Sequence, residues 1–144
     1  DPLSEAECGH VLIGLGKMFE YNGEYDAVID CFEKCMESGD PFVKETALRK
    51  LSQIYKRNNE YGKAIRHWED MISNKEALCI FPLIELAKYY EHKAKDIPKA
   101  IEMTNKAIEL SLEVGLNNSI YRADLKKRLD RLMRKAENNN NARW

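Results

Sequence analysis

Tyr25, Tyr61 and Ile97 stand 36 residues apart, and the residues that follow each of them keep step. After Tyr25 come Val28, Ile29, Phe32, Cys35 and Met36. After Tyr61 come Ala64, Ile65, Trp68, Met71 and Ile72. After Ile97 come Ala100, Ile101, Thr104, Ala107 and Ile108. Within each set the apolar positions recur at i, i+3, i+4, i+7 and i+8, the mark of one buried helical face, and strict alternation is absent, so strands are excluded. A period of this size constrains the fold strongly. A unit this short cannot bury its own apolar face and must stack on the next copy, and stacked copies make surfaces for holding something more often than pockets for chemistry.

Each set is preceded by a second stripe: Leu12, Leu15, Gly16 and Phe19, then Leu48, Leu51, Ser52 and Tyr55, then Leu83, Leu86, Ala87 and Tyr90. The small members Gly16, Ser52 and Ala87, with Val28, Ala64 and Ala100 on the paired helix, let two helices approach closely, so each repeat is expected to be an antiparallel hairpin. After the last repeat, Leu116-Asn117-Asn118 breaks the pattern behind Gly115. Ile120, Leu125, Leu129, Leu132 and Met133 then form a stripe that suits a terminal cap. The sequence predicts an all-α, right-handed solenoid of three antiparallel helix pairs, over about 8–40, 43–75 and 78–114, with a capping helix over about 118–137. Together these make seven helices in one domain, 1–137. Asn138 to Asn141 lack apolar content, and 138–144 read as a disordered tail.

The large–small pairs and the aromatic positions resemble the tetratricopeptide repeat, over roughly residues 8 to 114. Repeat three departs from that pattern. One extra residue lies between Tyr90 and Ile97, and Thr104 stands where Phe32 and Trp68 stand in the other repeats. The period of 36 also exceeds the usual ~34, which predicts longer linkers.

Two stretches carry a further resemblance. Leu86-Ala87-Lys88-Tyr89-Tyr90-Glu91-His92-Lys93 precedes Asp96-Ile97-Pro98-Lys99-Ala100-Ile101-Glu102. Leu48 to Arg57 precede Ala64-Ile65-Arg66-His67-Trp68-Glu69. Both resemble the C-terminal helical region of bacterial ribonuclease H-like proteins, predicted exonucleases with an N-terminal nuclease domain. The run Leu125 to Leu132 is similar to the close of such chains. The resemblance implies a bacterial protein whose catalytic part lies elsewhere, and the start at Asp1-Pro2, without an initiator methionine, reads as an excised or processed piece.

The residues themselves point away from catalysis. A two-metal nuclease needs acidic side chains converging on its ions, whereas Glu85, Glu91 and Asp96 fall on scattered helical positions. Gly14-Leu15-Gly16 sits inside a helical pattern and is explained by close packing, not by a phosphate loop. His10, His67 and His92 have no Ser or Cys arranged as a nucleophile. Cys8, Cys31, Cys35 and Cys79 form neither a disulfide framework nor a metal site; they read as reduced core or near-core thiols of a cytoplasmic protein. No metal or cofactor is predicted. A formal net charge of −1 commits the chain to neither nucleic acid nor membrane, no apolar run reaches the ~20 residues that span a bilayer, and no signal peptide is visible.

Two surfaces are candidates for binding. In the predicted solenoid the first helix of each hairpin lines a groove. That places His10, Ile13, Lys17, Glu20 and Tyr21, then Thr46, Arg49, Gln53, Lys56 and Arg57, then Phe81, Ile84, Lys88 and Glu91 along it. Lys17, Tyr21, Arg49, Gln53, Lys56, Arg57 and Lys88 are the positions expected to meet a ligand, an acidic or C-terminal peptide or a phosphate backbone. The same residues suit a solvated face. The second candidate is the last helix. Arg122, Lys126, Lys127, Arg128, Arg131, Arg134 and Lys135 outnumber Asp124 and Asp130, and Arg122, Lys126, Lys127, Arg131 and Arg134 are the bet for contacting nucleic acid. The expected function is a non-catalytic scaffold for protein–protein interaction, monomeric, appended to a larger protein. The alternative is an accessory nucleic-acid-binding domain of a ribonuclease H-like nuclease. Self-association through Ile13 and Ile84 is a third class.

Overall fold

The structure, a computed structural model, describes residues 5–74, 79–113 and 119–142. Asp1-Pro2, Gly115 to Asn118 and Trp144 lie outside them, as do the side chains of Cys8, Ile120 and Tyr121. The described residues form seven helices and no strand: α1 (Glu5–Tyr21), α2 (Tyr25–Cys35), α3 (Pro41–Arg57), α4 (Tyr61–Ser73), α5 (Phe81–His92), α6 (Ile97–Glu113) and α7 (Ser119–Asn141). The chain forms two compact units, Asp1–His67 and Trp68–Trp144, with the dividing line inside α4. None of the helices is long and apolar enough to cross a membrane.

The 36-residue period is written into the backbone as well as the side chains. Gly23, Asn59 and Lys95, one period apart, all adopt left-handed φ, at +76°, +58° and +57°. Gly23 takes this conformation without a Cβ penalty and Asn59 tolerates it; for Lys95 it is uncommon. At the ends of α1 and α3 the chain closes in the same way. The amide of Glu24 donates to Phe19 O at 2.9 Å and that of Glu60 to Tyr55 O at 2.7 Å, while Gly23 and Asn59 donate to Glu20 O and Lys56 O, both at 3.1 Å. These paired bonds satisfy the last carbonyls of each helix and turn the chain back. After α5 the amide of Asp96 reaches Tyr90 O at 2.8 Å, six residues back. The extra residue of the third repeat is absorbed at this turn. Asp96 then accepts from Lys99 N at 3.2 Å near the start of α6.

In the first unit α1 packs on α2 and on α3, and α2 packs on α3. Its core holds Val28, Phe32, Cys35, Val43, Ala47, Leu48, Leu51 and Tyr55. Two glycines of α1 make the close approach: a Cβ on Gly9 would lie 2.8 Å from the Val43 side chain, and one on Gly16 would lie 2.8 Å from the Phe32 ring. Leu15 departs from the core role its repeat position predicts. It is 38% exposed, against 0% for Leu51 and 2% for Leu86. With Val11 and Met18, one and two turns apart on the same side of α1, it forms an exposed apolar stripe.

In the second unit α5 packs on α6 and α6 on α7. One core cluster joins Ile80, Leu83, Ala107 and Leu125, with Ile72, Ile84 and Met103 against it. A second joins Ile97, Ala100 and Leu132, with Tyr90, Ile101 and Ala136. Thr104, the residue in place of the expected aromatic, is fully buried, and its hydroxyl donates to Ala100 O at 2.8 Å, so the position stays inside without an unpaired polar atom. Leu125 and Leu132 of the predicted cap are buried, whereas Met133 lies outside, about half exposed. The expected disordered tail does not begin at 138, because α7 runs on through Asn141. Once a helix is nucleated each added residue costs little, and Ala136 anchors the preceding turn in the second core cluster.

Candidate binding site

The first candidate lies wholly within the first unit. The stripe spacing of α1 and α3 sends Lys17 and Glu20 from one helix, and Thr46, Arg49, Lys50 and Gln53 from the other, into one cleft of about 320 Å³ that Phe32 also lines. Five positions expected on the groove, Lys17, Glu20, Thr46, Arg49 and Gln53, are therefore brought together. Glu20 is neutralised there, since Lys50 Nζ donates to its carboxylate at 2.5 Å. Arg49 is braced by Glu45 one turn back, through Nη2 at 2.9 Å and Nε at 3.3 Å. Lys17 is exposed and has no ion-pair partner among the described residues, so the cleft carries a surplus positive charge at its α1 side. Phe32 stays a core residue, 1% exposed, and forms the floor of the cleft beneath Gly16.

Ile13, Ile84 and Glu91 depart from the groove reading, and the remaining groove positions lie outside this cleft. Ile13 is buried, and Ile84 packs against a core cluster, so neither offers the exposed apolar surface that self-association was expected to use. Glu91 is buried in ion pairs. Tyr21 is 91% exposed and, like Lys56 and Arg57 at the end of α3, does not line the cleft. Lys88 belongs to the second unit, 3.5 Å from Glu85. The helical period places such residues one turn or more from the cleft; the sequence shows on which side of a helix they lie but not what neighbour meets them.

Glu33, on α2, was singled out by nothing in the sequence, yet it joins three helices of this unit. It accepts from the Tyr55 hydroxyl of α3, and His67 Nε2 of α4 lies 2.8 Å and 2.9 Å from its two oxygens. A carboxylate only accepts, so His67 carries its proton on Nε2. Tyr55 and His67 stack with ring centroids 6.4 Å apart. Burial, and then the bond to Glu33, push the Tyr55 hydroxyl well above its ordinary range.

The second candidate, α7, divides its cations between two tasks. Arg131 grips the buried Glu91 carboxylate with Nε at 2.8 Å and Nη2 at 2.7 Å, Lys135 Nζ donates at 2.6 Å and Arg128 Nη1 at 3.3 Å. The Arg131 bond, helped by Lys135, holds the Glu91 carboxyl down at about 2 against the opposing effect of burial. Arg131 is thus corrected from a ligand contact to a clamp that ties α7 to α5. Lys126, Lys127 and Arg134 stay exposed on the outer face beside Asp130, as does Arg122. The signal was present in the spacing: 128, 131 and 135 lie on one flank of the helix, and Glu91 lies in the last turn of α5.

No protein-family model matches the chain, and no solved structure matches it. Among curated proteins it is similar to YprB of Bacillus subtilis (strain 168), described as uncharacterized, with 30% identity over 95 residues. That stretch is 65% of this chain and 23% of the relative. The chain thus spans less than a quarter of the relative it matches.

Proposed function

We propose that the chain is a non-catalytic helical-repeat scaffold, similar to tetratricopeptide repeats, that holds an acidic protein segment in the cleft between α1 and α3. The observation that carries this reading is the convergence of Lys17, Arg49, Lys50, Thr46 and Gln53 around the edge of Phe32. Cations and amides on rigid helices suit a carboxylate-bearing segment. The left-handed turns at Gly23, Asn59 and Lys95, one period apart, are in keeping with a repeated helical unit. A role as a module of a larger bacterial protein is in keeping with the greater length of the relative.

The test is fluorescence anisotropy with labelled peptides that carry Glu or Asp around one Leu or Phe. Saturable binding is expected, and the double charge reversal Lys17→Glu, Arg49→Glu should weaken it at least about tenfold, the scale of one charge-assisted hydrogen bond. Absence of binding by every such peptide to the folded chain would overturn the reading.

Exposed Lys126, Lys127 and Arg134 support a second reading, an accessory nucleic-acid-binding domain of a ribonuclease H-like nuclease. Labelled single- and double-stranded DNA and RNA, titrated at several salt concentrations, separate the two. This reading expects affinity to fall steeply with salt, and the slope to shrink by roughly one for each phosphate contact removed by Lys126→Gln, Lys127→Gln or Arg134→Gln.

A further inference from the structure

The clamp on Glu91 is out of balance. Three obligate cations, Arg128, Arg131 and Lys135, lie within hydrogen-bonding distance of one carboxylate, and His92 Nε2 is 3.5 Å away. Both Glu91 oxygens are engaged: Oε1 accepts from Arg128 and Arg131, and Oε2 from Arg131 and Lys135. Glu85 and Asp124 offset Arg128 on its side of the clamp, so the positive charge left over lies with Arg131 and Lys135 against the single Glu91, and partly enclosed surroundings focus it. The surplus is not spread evenly around the molecule. A pocket of about 380 Å³ opens beside the clamp, lined by Glu91, Lys95, Ile97, Lys135, Asn138 and Asn139. Lys95 is carried there by its left-handed turn, φ +57°. It is exposed, with no ion-pair partner among the described residues. The Asn138 and Asn139 amides come from the last turns of α7, the part read from sequence as a tail.

We propose that this pocket binds a phosphoryl group, as inorganic phosphate or a phosphomonoester. The chemistry of the donors selects the ligand. The planar fork of Arg131, which would match a carboxylate, is already spent on Glu91. The lining residues include two lysines and two asparagines, separate donors that suit an anion with several oxygens in three dimensions and a charge near −2. Glu91 does not repel such a ligand as a bare carboxylate would, because its own charge is more than matched by the three groups on it. Backbone geometry adds a reason for Lys95 to stand where it does: a lysine at a position that favours glycine or asparagine is strained, and the strain places its ammonium at the pocket rim. The site is separate from the α1–α3 cleft and does not rest on the peptide reading.

The experiment is a titration of the uniformly ¹⁵N-labelled chain with sodium phosphate at ionic strength held constant with chloride, followed by amide chemical shifts. Saturable movement of the Asn138 and Asn139 side-chain amides and of the Lys95 backbone amide is expected, with the α1–α3 cleft still. Lys95→Asn removes the ammonium and keeps a residue that tolerates left-handed φ, so the fold is retained; it should weaken phosphate about tenfold. Asn138→Ala gives an independent loss on α7, and Lys106→Gln on the exposed side of α6 leaves affinity unchanged. Repeating the titration with O-phosphoserine distinguishes sources: tighter binding than phosphate assigns an esterified ligand, equal binding the free anion. Shifts that drift without saturating over many surface lysines, or wild-type affinity in Lys95→Asn, would overturn the proposal.

Discussion

Glu33 and Glu91 perform the same mechanical task with different chemistry. Each is a carboxylate that ties its own helix to a partner further along the chain. Glu33 is approached by a hydroxyl and an imidazole and keeps part of its surface in water, its side chain 36% exposed. Glu91 is sealed at 0% exposure and answered by three full cations. The contrast shows how each unit is held. Around Glu33 the first unit relies on close contacts, Gly16 on Phe32 and Gly9 on Val43, with the polar junction a modest addition. The second unit fixes α7 through charge as well as through Leu125 and Leu132. Because a sealed carboxylate stripped from its cations, or the reverse, leaves uncompensated charge in a poor solvent, the two junctions should answer very differently to the same substitution.

The largest effect is expected at Glu91. Glu91→Gln keeps the shape and one acceptor but leaves three cations facing a neutral group, and should cost about 3–5 kcal/mol, read as a shift of the denaturant midpoint. The same junction makes stability pH-dependent. The folded-state carboxyl is held at about 2, below its ordinary 4.5. Its contribution is therefore fully present above about pH 4.5, and is lost as pH falls toward 2, when the folded state too must take up the proton. The loss amounts to about 3 kcal/mol. Wild type should lose that much more stability across the window than Glu91→Gln, and equal losses would show that other carboxylates control acid unfolding.

Next in size, Gly16→Ala tests the claim that the first unit depends on steric fit. The added methyl meets the Phe32 ring at 2.8 Å, and a buried ring has little room to yield, so about 1–3 kcal/mol should be lost. Tyr55→Phe is milder. It removes one hydroxyl donor from Glu33, which retains His67 and water, and should cost about 1 kcal/mol. A loss at Tyr55 as large as that at Glu91 would erase the distinction between the two junctions.

Local features were legible in the sequence in proportion to how much they depend on period alone. The helices and core positions such as Val28, Leu48, Trp68 and Leu132 follow from spacing. So did Lys17, Arg49 and Gln53 as neighbours on one face. What spacing does not encode is the identity of the group opposite. Arg131 and Lys127 look alike in the string; only the arrival of Glu91 beside one of them separates a clamp from an exposed charge. Leu15 and Leu51 occupy the same repeat position, yet only the second is buried. Glu33 was invisible for a related reason, because its partners Tyr55 and His67 lie 22 and 34 residues on and belong to different helices.

The smallest effect separates the glycines of α1 and carries the opposite sign. Gly9 and Gly16 are required by the side chains they face, but a Cβ at Gly14 would meet nothing within 4 Å. Glycine inside a helix costs roughly 0.5–1 kcal/mol relative to alanine through the freedom it loses on folding. Gly14→Ala should therefore stabilise the chain by about that amount, while Gly16→Ala two positions later destabilises it. The pair measures, within one helix, how sharply packing in the first unit distinguishes its inner face from the outward stripe of Val11, Leu15 and Met18. Measured at low and high protein concentration, the gain at Gly14 should be the same. A loss that grows with concentration would mean that the stripe is covered by a second copy, and that the first unit too gains stability from a contact outside its own core.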